Sequence, residues 1–457
     1  MISRIFPLLA GLIILLLPLF SLAQGIPSSE SPRGSAQQLA RQVFAPDPRL
    51  RKVALLALEK RGDPDVVPAL IQALRFVPDN STINAILTSL TGDRPGLLWH
   101  DWMLWQESHP EIKPFAGFDA FKADVMSLID ENFRLFLKSG VKHDIRLEEI
   151  VWGGVRKDGI PALINPTLIA PSAAAYTDNE LVFGIEINGD ARAYPLRILN
   201  WHEMFNDVIG GVPVALAYCT LCGSGILYET LLPSAAEPLI FGSSGFLYRS
   251  NKLMYDQGSN SLWNQFTGRP VVGPLTGSGI ELKVRPVTIT TWKNWRQLNP
   301  KTKVLSLDTG YNRDYRPGRA YGEYFEGPDL MFPALVPDTL LKPKDFVFAL
   351  RAGAVEKAWP LSAFKEGAVI NDTVGPLDVV LIGNTATRTV RAYMADGLDF
   401  KAIADQPNTI TAGDTIWKVE EDALVNKGGQ RLKRLAGHIA YWFAWRGFRP
   451  EATLYNE

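Results

Sequence analysis

Cys219 and Cys222 are the only cysteines of the chain. They stand in the string Val214-Ala215-Leu216-Ala217-Tyr218-Cys219-Thr220-Leu221-Cys222-Gly223-Ser224-Gly225. A pair at this spacing serves three chemistries. A disulfide cycle uses one thiolate to attack and the other to resolve. A soft metal ion, copper or zinc, takes both sulfurs and needs two further ligands. A nucleophilic mechanism needs one cysteine with a base in reach. The bland alternative is a structural disulfide or two inert buried thiols. His202, 17 residues before Cys219, is the nearest histidine and is a candidate as base or as third metal ligand. His438, ahead of Tyr441-Trp442-Phe443, is the candidate fourth ligand.

A second polar block follows, from Phe241 to Gly268. Arg249, Asn251, Asp256, Trp263 and Gln265 are its candidate ligand-binding side chains, able to orient a bound molecule or hold a neighbouring thiolate. The bland reading is a set of tight turns with satisfied polar partners. Phe241-Gly242-x-x-Gly245 lacks the Gly-Lys-Ser/Thr that a phosphate loop requires.

The elements that must position these residues read as strands. Leu181 to Ile187, Val212 to Tyr218, Gly225 to Glu229, Lys303 to Leu307 and Leu377 to Ile382 are short apolar stretches bounded by Gly, Pro, Asn and Asp. Cys219 thus stands at the end of a buried strand that runs into a Gly-rich turn. The thioredoxin pattern needs its cysteines at a helix N-terminus in a βαβ setting, and these flanks do not supply it.

The β region contains an internal repeat. Placing Val182 on Val347 and reading to Leu216 and Leu381 gives ten identities in 35 ungapped positions, among them Ala193, Pro195 and Leu196 with Ala358, Pro360 and Leu361. Asn206-Asp207 falls on Asn371-Asp372 and Gly210 on Gly375. On the same offset Cys219, Cys222 and His202 face Asn384, Thr387 and Gly367, so the chemically able residues occur in the first unit only. Two related units packed together leave a crevice at their junction where a ligand can bind.

Upstream lies a different texture. Arg4, the apolar run Ile5 to Phe20 and Ser21-Leu22-Ala23 have the layout of a cleavable secretory signal over residues 1–23, which predicts an extracytoplasmic, periplasmic or secreted protein with no stable membrane span after cleavage. Residues 24–35 are rich in Ser, Pro and Gly and read as a flexible linker. From residue 36 to 149 the pattern is helical. Leu50, Val53, Ala54, Leu56, Ala57 and Leu58 read as one apolar face, ended by Arg61-Gly62-Asp63-Pro64, and a second helix follows from Asp65. The hairpin resembles a HEAT-type repeat, too short to stand alone, and is expected to cap the rest of the chain or to dock a protein partner through residues 36–92. Trp99 and Trp102, at helical spacing, read as a buried stripe. Lys plus Arg, 47, nearly cancels Asp plus Glu, 48, so no global field points to nucleic acid.

The strings RAYPLRILNWHEMFNDVIGGVPVALAYCTLCGSG, FGSSGFLYRSNKLMYDQGSNSLWNQFTG and AYWFAWRGFRP resemble the bacterial family named domain of unknown function 3179, over about residues 150 to 450. The resemblance implies no established activity. It implies more weight on Cys219 than on Cys222, and Thr220 departs from the proline usual between the two. The expected fold is α+β: an N-terminal helical, HEAT-like cap, then a large, mainly antiparallel β domain over 150–457 with two internally related units. Three functions stay open. The first is binding of copper, zinc or a small ligand between the two halves. The second is a cysteine-dependent enzyme or thiol redox protein using Cys219 with His202. The third is an interaction protein docking through the cap.

Overall fold

Asp47 and Pro48 open the longest N-terminal helix, Pro48–Arg61. The Asp47 side chain accepts from the Arg49 N–H, proline fills the first helical position, and Gly62 ends the helix at a φ of 69°. The computed structural model describes residues 34–455 apart from 234, 337, 405 and 407, so the signal-type segment over 1–23 and most of the linker lie outside the described residues. Five more helices, Ala36–Gln42, Val67–Phe76, Asn80–Thr91, Trp99–Ser108 and Phe118–Ser127, complete the helical region. None of the helices among the described residues is long and apolar enough to cross a membrane.

The expected apolar face of Pro48–Arg61 needs correcting. Ala54, Leu55, Ala57 and Leu58 are buried, whereas Leu50, Val53 and Leu56 are about half exposed. At 3.6 residues per turn the six expected positions spread too far round the helix to share one stripe. Trp102 is the packing residue expected; it is fully buried and donates from Nε1 to Asn84 Oδ1 at 2.7 Å, while His100 faces solvent. Lys122 ties the helices to the β region. Fully buried, it donates to Gln72 Oε1 at 2.9 Å and to the Ile150 carbonyl, and desolvation pulls its pKa down to about 7. Gln72 and Gln106 each donate to the Glu148 carbonyl at 3.2 Å.

From Ile150 onward the chain is a mainly antiparallel β structure, and the repeat is far longer than its sequence trace. Strands Leu181–Ile187, Asp190–Pro195, Met204–Ile209, Val212–Cys219 and Ser224–Glu229 recur as Phe346–Ala352, Val355–Pro360, Val369–Val374, Leu377–Asn384 and Thr389–Met394, each 165 residues on. Strand Thr288–Thr291 with helix Trp292–Leu298 then recurs as His438–Tyr441 with Trp442–Phe448, 150 residues on. Sheet order repeats too. Thr288–Thr291, Leu181–Ile187, Asp190–Pro195 and Lys303–Leu305 pair in the order of His438–Tyr441, Phe346–Ala352, Val355–Pro360 and Thr453–Leu454. In both halves the last of the four joins its neighbour in parallel.

Matching side chains do the same work in both halves. Asn206 donates to the Phe241 carbonyl at 2.9 Å and accepts from its N–H at 2.8 Å; Asn371 does both for Phe400, at 2.8 Å each. Asp207 accepts from Tyr194 and Arg192, as Asp372 does from Trp359 and Lys357. Phe241 packs edge-on to Trp263, and Phe400 to Trp417. In the second half eight strands from Val369 to Leu435 form one nearly closed sheet around Val380, Tyr393, Trp417 and Leu424. In the first half the corresponding strands lie in two five-stranded sheets, and Cys219 belongs to the apolar cluster that lines them. A shared core holds the halves together: Phe183, Leu216 and Tyr218 of the first with Phe348, Trp359 and Ile439 of the second. Among its described residues the connection between the halves, 306–345, holds one short helix, Gly322–Glu326.

Asn206 offers a test of this scaffold. Asn206→Ala strands a buried N–H and carbonyl of Phe241, and is expected to lower unfolding stability by about 1–3 kcal/mol. Urea denaturation reads it, and an unchanged midpoint would show that the clamp contributes nothing.

Candidate functional site

The turn after Val212–Cys219 is made by two local hydrogen bonds, Cys222 N–H to the Cys219 carbonyl and Gly223 N–H to the Thr220 carbonyl, both 3.2 Å. Gly223 closes it at a φ of 59°, and a Cβ there would stand 2.8 Å from the Phe346 ring. Cys219 and Cys222 are joined as a disulfide with their Cα atoms 5.2 Å apart, and both residues are buried. Of the open readings of the pair, the structure takes the disulfide form. With three residues of separation the bridge closes a very short loop, the case in which cross-linking restricts the unfolded chain least.

Buried polar groups surround the bridge. Asn251 Nδ2 donates to Gln265 Oε1 at 2.7 Å and lies 3.4 Å from Cys222 Sγ; Gln265 Nε2 donates to the carbonyls of Ala217 and Ser224 at 2.7 and 2.9 Å. Cys222 Sγ lies 3.3 Å from the Ser250 carbonyl. That carbonyl is presented by a two-residue hairpin turn in which Arg249 and Ser250 both take positive φ, 48° and 60°. On the other side Glu203 accepts from Thr220 at 3.0 Å and pairs with the buried Lys252 at 2.8 Å. Tyr321 and Tyr324, from the 306–345 connection, reach Glu203 and the Leu221 carbonyl at 3.4 and 2.7 Å. The disulfide is therefore covered.

Of the candidate ligand-binding residues, Asn251 lies at Cys222 Sγ, and Gln265 is bonded to Asn251. The other three are engaged elsewhere in the fold. Arg249 pairs with Glu149 at 2.7 Å. Asp256 accepts from the Ser259 N–H and hydroxyl at 2.6 Å and from Trp263 Nε1 at 2.8 Å, which closes a turn. Trp263 is fully buried against Phe241.

The expected roles of the histidines are corrected as well. His202 Nδ1 is bonded to the Pro161 carbonyl at 2.8 Å and Nε2 to the Tyr315 hydroxyl at 2.5 Å, so neither ring nitrogen is left for a sulfur or a metal. His202 anchors the 306–345 connection instead, and burial lowers its pKa. His438 sits among Phe266 and Trp445 with its Nε2 buried and unbonded. Among the described residues no three His, Cys, Asp or Glu side chains gather to hold a metal ion, so the set Cys219, Cys222, His202 and His438 is not assembled for copper or zinc.

A cleft of about 450 Å³ opens where the two halves meet. Tyr218 and Gly223, the residues flanking the disulfide-closed turn, form part of its wall together with Leu196, Arg197 and Asn200 of the first half. Phe346, Arg388 and Tyr441 come from the second half and Lys344 from the connection. Tyr441 N–H donates to the Cys222 carbonyl at 2.7 Å, which joins the cysteine turn to the far wall. Phe346 and Tyr441 stack at 4.4 Å. Reasoning from sequence missed Arg388, although one signal was available: on the 165-residue offset it falls on Gly223.

With the geometry in place, the comparisons give a family. Residues 157–452 match the family described as protein of unknown function (DUF3179), and the chain belongs to it. No curated protein and no solved structure matches the chain.

His438 gives a pH prediction. Burial, reinforced by the charge of Arg449, pulls its pKa from 6.5 down to about 3. Between those values the unfolded chain binds a proton that the folded chain refuses, so stability falls as pH drops through this window. His438→Gln is expected to lose less stability than the parent between pH 7 and about 4.5. Equal losses in urea midpoint at the two pH values would show that folded His438 takes up its proton freely.

Proposed function

We propose that this is an exported binding protein that holds a small molecule in the cleft between its two duplicated halves. The observation that carries this reading is the placement of the cleft. It lies at the junction, its walls come from both halves and from the segment connecting them, and its volume of about 450 Å³ falls within the range of small-molecule sites. Export is supported by the signal-type N-terminus and agrees with a disulfide in the β region. The test begins with protein recovered from the extracytoplasmic fraction, expected to start at Gln24. Solvent extraction and mass spectrometry are expected to find a small molecule bound to it, and to find that molecule lost from Leu181→Trp, which fills the cleft. A ligand retained at full occupancy by the blocked variant would overturn the reading.

A second reading, thiol–disulfide exchange, is favoured by the setting of Cys222. Two external thiols would reduce the bridge to the Cys219 and Cys222 thiols and leave as their own disulfide. The Ser250 carbonyl at 3.3 Å would then accept the Cys222 S–H, with Asn251 Nδ2 donating to its sulfur. In glutathione buffers of graded potential the native protein is expected to exchange at this pair, and Asn251→Leu to move the midpoint. A bridge that stays oxidised until the protein unfolds would sink this second reading.

A further inference from the structure

We infer that the cleft selects a small organic oxyanion, a carboxylate or phosphate ester on an apolar body, and that Arg388 is the residue that recognises its charge. The inference rests on the cleft being a ligand site and adds the class of ligand.

The charge balance of the wall is the first observation. Arg197, Lys344 and Arg388 face the cleft, and Glu180 is the single carboxylate among the lining residues. Glu180 is already engaged, 3.2 Å from Arg197 Nε. Lys344 has its ammonium held by backbone carbonyls, among them that of Gly327 at 2.7 Å, which fixes its position without neutralising it. The cleft therefore keeps an excess of positive charge in partly dehydrated surroundings, where an anion is attracted more strongly than in open water.

Arg388 is the second observation. Its guanidinium lies over the Phe346 ring at 4.1 Å and makes no hydrogen bond or ion pair with another described residue. Desolvation lowers its pKa, which an anion in the cleft would reverse. The residue is also held at a φ of 52°, a conformation that side chains other than glycine rarely adopt. In the first half the same position is Gly223, at a φ of 59°. The duplicated scaffold thus keeps the turn in both halves and puts a guanidinium into one of them. An arginine fork with no partner matches the two oxygens of a carboxylate or the oxygens of a phosphate ester.

The rest of the wall describes the rest of the ligand. Tyr218, Phe346 and Tyr441 give it an aromatic lining, and a cleft of about 450 Å³ is larger than an inorganic anion fills. Asn200 Oδ1 is buried without a hydrogen-bond donor, so a hydroxyl or N–H on the ligand has an acceptor waiting.

The test uses the full mature chain and three probes of similar shape: 4-hydroxybenzoate, 4-hydroxyphenyl phosphate and the neutral 4-hydroxybenzamide, each titrated by calorimetry. At least one of the two anions is expected to bind at least tenfold more tightly than the amide, and the preferred one tells a carboxylate site from a phosphate site. Arg388→Gln is expected to weaken the anion at least tenfold and leave the amide unchanged, with Arg388→Lys partly restoring it. If Arg388→Gln fails to fold, the parent protein still decides the matter, because anion affinity must fall as salt is raised while amide affinity stays flat. Binding of the amide as tight as that of the anions, or anion binding indifferent to salt and to Arg388, overturns the inference and leaves the binding cleft standing. Binding of none of the three overturns both.

Discussion

Everything in the β region depends on one constraint: two halves of the same design must bury a common core. Phe183, Leu216 and Tyr218 of the first half pack with Phe348, Trp359 and Ile439 of the second, all withdrawn from water. Burial on this scale is the dominant favourable term in folding, and it is non-directional. What gives it direction here is the set of paired polar clamps. Asn206 with Phe241 and Asn371 with Phe400 fix where each half turns back on itself, while Asp207 and Asp372 collect donors from the strand that precedes them in the chain.

A symmetric core leaves room for function only where the symmetry fails. Tyr218 corresponds to Gly383, Gly223 to Arg388 and Leu181 to Phe346, and all of these but Gly383 line the cleft. At the turn position itself, glycine in one half is replaced by an arginine in the other. The disulfide shares this asymmetry. Its counterparts are Asn384 and Thr387, and Asn384 caps its own turn by accepting from the Ala386 and Thr387 N–H groups. The same bend is thus held by a side-chain cap in one half and by a covalent bridge in the other. Tyr441, bonded through its N–H to the Cys222 carbonyl, makes the bridged turn and the cleft parts of one structure.

The helical region and the connection over 306–345 close this assembly from outside. Lys122, Gln72 and Gln106 bond backbone carbonyls at Glu148 and Ile150, so the helices meet the β region through buried polar contacts as well as apolar ones. The connection is pinned at His202 through Tyr315, at Glu203 through Tyr321 and at Leu221 through Tyr324. It has little regular structure of its own, and these hydroxyl contacts hold it over the cysteine turn.

The sequence alone determined the texture: helices, then short strands, with a duplicated stretch legible from Val182 and Val347 onward. These features are local or linear. Apolar periodicity reports one element at a time, and a repeat needs only an alignment of the chain with itself. The order of chemically able residues was legible too, and Asn251 lies against Cys222 Sγ with Gln265 bonded behind it. Only the tertiary structure decided which of them meet. His202 lies near Cys219 in sequence, yet both its nitrogens are claimed by residues 41 and 113 positions away. Nothing local marks Arg388, and only the fold sets it over the Phe346 ring, in the cleft that Gly223 also lines. Side-chain partners across such separations are fixed by how the halves pack, and no local pattern in the chain records that packing.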